Sequence, residues 1–279
     1  MRTLIKSCLA LVIFSGPVYA KATEWDAAGP VKTRLLVDNR SSAAPTKEIK
    51  GAVEIDLSPN WHTYWRTPGD TGLAPEFNWK KSLNVKNIKI HWPAPKRFEQ
   101  AGFYSFGFKD QLVLPFTASL ENPDKAFTLS SDVKVMVCNE ICVPKKMTVS
   151  LSVKPGEKAD NNYSSEIQKA FRKIPHKGDL NDLKIHNVVF GLGKMVVTAE
   201  SSRGFADETD LFVEIPGVSV SAPPEIIYGP RSSGGKPRLA RFIISSDQDS
   251  ENLSSKVQGK SVRLTLTNEG RAIEKIYEF

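Results

Sequence analysis

Apolar and polar positions alternate through most of the chain, the period of strands with one buried face. Ile49, Gly51, Val53, Ile55 and Leu57 alternate without a break. Leu83 and Val85, then Ile88, Ile90 and Trp92, predict a strand whose phase slips once, the mark of a bulge. Leu112 and Leu114, then Phe127 and Leu129, add short strands around turn residues such as Asn122-Pro123-Asp124. Val133, Val135 and Val137 keep the period, and Met147, Val149, Leu151 and Val153 resume it after Pro144. Many short strands separated by Pro, Gly and Asn predict a β-sandwich or barrel between Val31 and Val153.

The pattern then changes. Residues 155–162 are polar and break the alternation, and Ser164-Ser165-Glu166 opens a helical period. Ile167, Ala170, Phe171 and Ile174 fall on one face before Pro175 ends the helix. A second β-region follows, with Val188-Val189-Phe190, Met195-Val196-Val197, Leu211-Phe212-Val213, Phe242-Ile243-Ile244 and Val262, Leu264 and Leu266 as its strands. Residues 232–237, rich in Ser and Gly, read as a mobile loop. The expected organisation is a signal peptide at 1–20, a β-sandwich domain at 21–155, a linker with a short helix at 156–182, and a second, smaller β-rich domain at 183–279. The fold class is all-β. No catalytic constellation marks the second domain, which reads as a sandwich for packing or docking.

The N-terminus predicts export. Arg2 and Lys6 precede an apolar run from Cys8 to Phe14, and Val18-Tyr19-Ala20 fits a small-residue cleavage site. The run is too short for a membrane span, and no other stretch is long enough, so no stable membrane insertion is expected. Cleavage would remove Cys8 and lower the formal charge from +7 by the two basic residues Arg2 and Lys6. No run of five or more basic residues remains, which argues against nucleic acid as a partner.

Two stretches interrupt the alternation and read as loops. Residues 60–73 run Asn60-Trp61-His62-Thr63-Tyr64-Trp65 and on through Gly69 and Gly72 to Leu73. Residues 97–108 place Phe98, Phe103, Tyr104, Phe106 and Phe108 among glycines. Aromatics in such loops either pack one end of the sandwich, cover a reactive group or dock a partner. His62 is the best placed of four histidines for chemistry, though a lone histidine among aromatics is more often structural. No zinc spacing and no Ser/His/Asp arrangement is visible, so neither metal nor cofactor is predicted.

The chemistry centres on Cys138-Asn139-Glu140-Ile141-Cys142, between two predicted strands. Fully extended, their Cα atoms would lie roughly 13 Å apart. A disulfide needs about 4.4–6.8 Å, so a bond requires the chain to fold back at Asn139-Glu140-Ile141. Closing about five residues stabilises by only roughly 2 kcal/mol in the chain-entropy model, little for a domain of this size. Spacing alone leaves both a structural staple and an exchangeable pair open. Lys145 and Lys146 favour a thiolate and Glu140 opposes it.

The tryptophan–histidine stretch from Asn60 to Trp65, Pro68-Gly69-Asp70-Thr71-Gly72-Leu73, Trp92-Pro93-Ala94-Pro95 and Cys138 through Pro144 occur in that order. Together they resemble the periplasmic N-terminal domain of the DsbD/ScsB family of thiol–disulfide interchange proteins, over roughly residues 30–155. The resemblance implies an immunoglobulin-like β-sandwich with Cys138 and Cys142 as the redox pair. It also implies an aromatic cap, with Phe103 and Tyr104 its residues and His62 and Tyr64 beside it in capping or partner docking. It implies periplasmic thiol–disulfide exchange with separate membrane or periplasmic redox proteins. Full-length family members continue into a membrane domain and a thioredoxin-like domain; this chain has no apolar span and no Cys-x-x-Cys after residue 155.

Two other functions use the same residues. Met136 shares a strand face with Cys138, so two thiolates and a thioether would suit Cu(I), as in a copper-tolerance carrier. An interaction module with an inert disulfide is the other.

Overall fold

The structure is a computed structural model that describes residues 20–38, 47–155, 163–191, 193–230, 235–245 and 253–279. The predicted signal peptide up to Tyr19, residues 156–162 of the predicted linker and residues 232–234 of the predicted mobile loop lie outside the described residues. The first domain contains β1 (Ala20–Ala22), β2 (Asp26–Ala27), β3 (Val31–Asp38), β4 (Glu48–Leu57), β5 (His62–Gly69) and β6 (Glu76–Asn78). It continues with β7 (Val85–Ile90), β8 (Lys96–Gln100), β9 (Phe103–Lys109), β10 (Gln111–Leu120), β11 (Phe127–Cys138) and β12 (Cys142–Val153). After α1 (Ser164–Arg172) come β13 (His176–Lys177), β14 (Leu183–Gly191), β15 (Lys194–Ser201), β16 (Asp210–Glu214), β17 (Glu225–Tyr228) and β18 (Leu239–Ile244). The chain ends with α2 (Leu253–Val257), β19 (Ser261–Asn268) and β20 (Arg271–Glu278).

The first domain is an immunoglobulin-like sandwich. One sheet has the order β1-β3-β4-β10-β7 with β2 on β3; the other has β12-β11-β5-β9-β8 with β6 on β11. The alternating residues meet between them: Leu35, Val53, Ile55, Leu114 and Phe116 from one sheet, Leu129, Val133, Val135, Val137 and Val149 from the other. The phase slip lies where it was expected. Ser119 pairs with Asn87 but Leu120 with Val85, which leaves Lys86 as the extra residue on β7.

The second domain repeats the architecture with sheets β13-β20-β19-β16 and β14-β15-β18-β17 around a separate core. All five predicted segments fall in its strands. The predicted helix forms as α1, and Ile167 packs with Leu36 and Ala52 on the outer face of the first sandwich, beside Phe171.

The two aromatic stretches are not loops. Most of the first is β5, and the second is the β8–β9 hairpin, turned by Ala101 and Gly102 at φ of 52° and 81°. Two left-handed residues in succession match the twist of a two-residue hairpin. Alternation fails in β5 because His62, Thr63, Tyr64 and Trp65 are all buried, so neither face is polar.

A wide bulge adds to this. Tyr64 pairs with Gly107 and Gly69 with Ser105, so Trp65, Arg66, Thr67 and Pro68 on β5 stand opposite Phe106 alone on β9. Bulges re-aim side chains and admit proline, which has no N–H to pair. Here the bulge meets the second domain. Trp65 and Phe106 pack edge-on against Phe212 of β16, with ring centroids 5.9 and 5.1 Å away. Arg66 donates to both carboxylate oxygens of Glu214, at 3.0 and 2.6 Å, and to Glu274 at 2.5 Å. Thr67 donates to Glu214 at 2.7 Å. A buried aromatic trio with satisfied ion pairs around it fixes one domain on the other. Phe212→Ala should therefore lower unfolding stability by about 3–5 kcal/mol, measured by denaturant titration of the whole chain, while a loss below about 1 kcal/mol would show that the trio does not hold the domains together.

Candidate functional site

Strands β11 and β12 pair continuously from Phe127↔Val153 to Cys138↔Cys142, and Asn139, Glu140 and Ile141 turn the chain between them. The fold-back brings the two Cα atoms to 4.1 Å, and the sulfurs are bonded. The two cysteines differ in exposure: Cys138 is fully buried and Cys142 is exposed.

Strand β5 supplies the walls. It pairs with β11 only at Val137↔Thr63 and Cys138↔His62, which sets His62 directly beside the buried cysteine. Thr63 secures this short ladder by donating its hydroxyl to the Met136 carbonyl at 2.9 Å. Two residues beyond His62, the Tyr64 hydroxyl lies 2.8 Å from Cys138 Sγ and 3.5 Å from Cys142 Sγ. A disulfide sulfur carries no proton, so Tyr64 is the donor. Burial, partly opposed by a hydrogen bond with Thr71, raises the Tyr64 pKa and keeps the phenol protonated at neutral pH.

The glycine-containing turn after β5 holds that phenol. A Cβ on Gly72, whose φ is +80°, would stand 2.1 Å from the Tyr64 ring. Only a residue without a side chain can lie flat on the ring in this left-handed conformation.

The hairpin approaches from the opposite side. Phe98 packs at a tilt against His62 with centroids 5.5 Å apart, and His62 meets the edge of Tyr64 at 5.5 Å. Gln100 donates to the Asn139 carbonyl, in the turn between the cysteines, at 3.2 Å. Phe103, at the hairpin tip, is 56% exposed, and Tyr104 is half-buried with its backbone N–H donated to Asp70 at 2.8 Å. Phe106 faces away, into the interdomain aromatic trio.

Four sequence-predicted residues thus come together: Cys138, Cys142, His62 and Tyr64. Phe98, Gln100, Thr71 and Gly72 were not singled out individually. Strict alternation along β8 would have paired Phe98 with Gln100, had the segment been read as a strand. Among the described residues no group of three or more His, Cys, Asp or Glu is placed to hold a metal.

Residues 32–154 match the family model for the N-terminal domain of the thiol:disulfide interchange protein DsbD. A search of curated proteins found no match. A search of solved structures found the N-terminal periplasmic domain of ScsB from Proteus mirabilis at 21% identity and a TM-score of 0.66, covering 92% of this chain and 97% of that one. At that coverage the shared fold extends over the second domain.

Two histidines carry a pH dependence, His62 in the site and His91 beside Thr117 and Phe171, outside it. His62 lies below its ordinary pKa of 6.5, first through burial and then through Lys109, and His91 lies below it through burial and nearby lysines. A histidine with a depressed folded pKa binds fewer protons folded than unfolded. Its contribution is complete above 6.5 and is lost as pH falls through the folded value. Unfolding free energy should therefore fall as the pH drops from neutral through 6.5, and His62→Gln/His91→Gln should flatten that fall in denaturant titrations. An equally steep fall in the double variant would contradict this assignment.

Cys138, Cys142 and the tyrosine wall beside them all lie within residues 32–154, the segment that matches the N-terminal domain of the DsbD family of thiol:disulfide interchange proteins.

Proposed function

We propose that this chain exchanges its Cys138–Cys142 disulfide with the thiols of separate periplasmic or membrane redox proteins, with Cys142 as the sulfur of entry. The observation that carries this reading is the asymmetry of the pair: Cys138 is buried under the Tyr64 hydroxyl while Cys142 is exposed. A partner thiolate attacks Cys142 Sγ, forming a mixed disulfide as the Cys138–Cys142 bond breaks. The electron pair passes to Cys138 Sγ, where the Tyr64 O–H already points and stabilises the leaving thiolate. A second partner thiolate then attacks its own sulfur in the mixed disulfide and releases Cys142. The partner leaves oxidised, and the pair has gained two electrons and two protons. Run in reverse, Cys142 attacks a substrate disulfide and Cys138 resolves the intermediate.

Three exposed apolar side chains lie on the segments that build the site. Ile141 in the cysteine turn is 68% exposed, Leu73 next to the Tyr64-packing glycine 61%, and Phe103 at the hairpin tip 56%. They offer a partner an apolar landing surface around Cys142, and Phe103 and Tyr104 of the cap fall within it. The signal-like pattern of the N-terminal sequence, and the periplasmic origin of the matched ScsB domain, support a periplasmic location.

Equilibration with glutathione or dithiothreitol redox buffers tests the reading. An exchangeable pair should titrate well above about −300 mV, whereas a structural staple would remain oxidised in glutathione. Binding of Cu(I) by the reduced protein in place of thiol exchange would favour the copper carrier. Tyr64→Phe removes the donor to the leaving sulfur, so reduction by dithiothreitol should slow by about tenfold in stopped-flow kinetics while the fold is retained. An unchanged rate would remove Tyr64 from the mechanism.

A further inference from the structure

We propose that the second domain is a clamp that holds the β8–β9 hairpin over the cysteine pair, with Arg97 as its positioning residue. The proposal rests on the exchange reading above for its purpose, but its geometry is independent of it.

The hairpin has little backbone support of its own. β8 is the edge strand and pairs only with β9 in the sheet order. The ladder from β9 to β5 is regular from His62↔Lys109 to Tyr64↔Gly107 and then breaks at the bulge, leaving Gly69↔Ser105 near the tip. Beyond the bulge the Asp70 N–H also bonds the Tyr104 carbonyl at 2.8 Å, but these backbone ties all fall on β9, so side chains decide where the outer arm β8 sits.

The second domain supplies those side-chain contacts. Residues alternate along β8, so Arg97 projects from the face opposite Phe98 and Gln100. Phe98 and Gln100 reach the site through His62 and the Asn139 carbonyl. Arg97 reaches the second domain, donating from Nε and Nη2 to the two carboxylate oxygens of Asp210 at 3.0 and 2.9 Å. It also donates to the carbonyl of Leu211 at 3.2 Å and to the carbonyl of Ser221. The guanidinium lies over Phe106 and Phe212, 4.7 and 5.2 Å from their centroids, and the side chain is only 10% exposed. A planar fork with this many fixed acceptors holds position as well as charge, which a lysine would not reproduce.

The other strand of the hairpin ends on the same second-domain residue. Asp70 accepts the Tyr104 N–H on one carboxylate oxygen and the Ser221 hydroxyl on the other, at 2.8 and 2.5 Å. Ser221, 1% exposed, thus joins β8 through its carbonyl and β9 through its hydroxyl and Asp70. Lifting the hairpin from the cysteines breaks these bonds, and separating the domains removes the Arg97 and Ser221 anchors.

The test reads the accessibility of each thiol in the full chain. In a Cys142→Ser background, Arg97→Gln should accelerate alkylation of the buried Cys138 by iodoacetamide about tenfold, the effect of loosening one buried charge-assisted pair. In a Cys138→Ser background, the exposed Cys142 should alkylate at an unchanged rate, and Arg97→Lys should fall between wild type and Arg97→Gln. An unchanged Cys138 rate in folded Arg97→Gln overturns the clamp. Equal acceleration of both thiols also overturns it, because that is general loosening. Should Arg97→Gln fail to fold, Ser221→Ala removes only the hydroxyl to Asp70 and should still raise the Cys138 rate severalfold; no rise would overturn the proposal. Alkylation involves no exchange, so a pair inert to glutathione would defeat the functional reading and leave this result legible.

Discussion

The short ladder between β5 and β11 is the constraint on which the site depends. Two residue pairs, Val137↔Thr63 and Cys138↔His62, fix β5 against the end of the cysteine hairpin. Because side chains recur every second residue along a strand, that register sends Tyr64 to the sulfurs and sets His62 beside it. A slip of one residue would turn the phenol into the opposite layer and leave Cys138 Sγ without its donor. The Thr63 hydroxyl on the Met136 carbonyl guards against such a slip at the point where β11 leaves β5 for β6.

The same strand links chemistry to architecture. Its first half walls the disulfide, and its bulged second half carries Trp65, Arg66 and Thr67 into the second domain. The disulfide adds little to stability by closing so short a loop, and the hairpin that carries it is already paired along its length. Stability resides in the two cores and the aromatic junction between them. The bond between the cysteines is therefore a small part of what holds the fold together.

Much of this was legible in the sequence. Strict alternation located the sandwich strands, the change to a helical period located α1, and the slip between Val85 and Ile88 marked a real bulge. Asn139-Glu140-Ile141 was the point at which a bond required the chain to turn, and it turns there. The aromatic stretches were misread as loops for a physical reason: β5 is buried on both faces and bulged, so it has no polar phase to detect. Phe106 resembled its aromatic neighbours, but its environment is set by Phe212, more than a hundred residues away in sequence. The role of the second domain was hidden for the same cause. Its contacts with Arg66, Arg97 and Asp70 join surfaces that no local pattern connects.

The central claim is that the pair is entered at one sulfur, and brief exposure of the oxidised protein to glutathione, followed by acid quenching and peptide mass spectrometry, tests it most directly. The account predicts the glutathione adduct on Cys142, with Cys138 recovered as a free thiol. An adduct on Cys138, or equal labelling of both cysteines, would contradict the assignment of the buried sulfur as leaving group and Tyr64 as its donor.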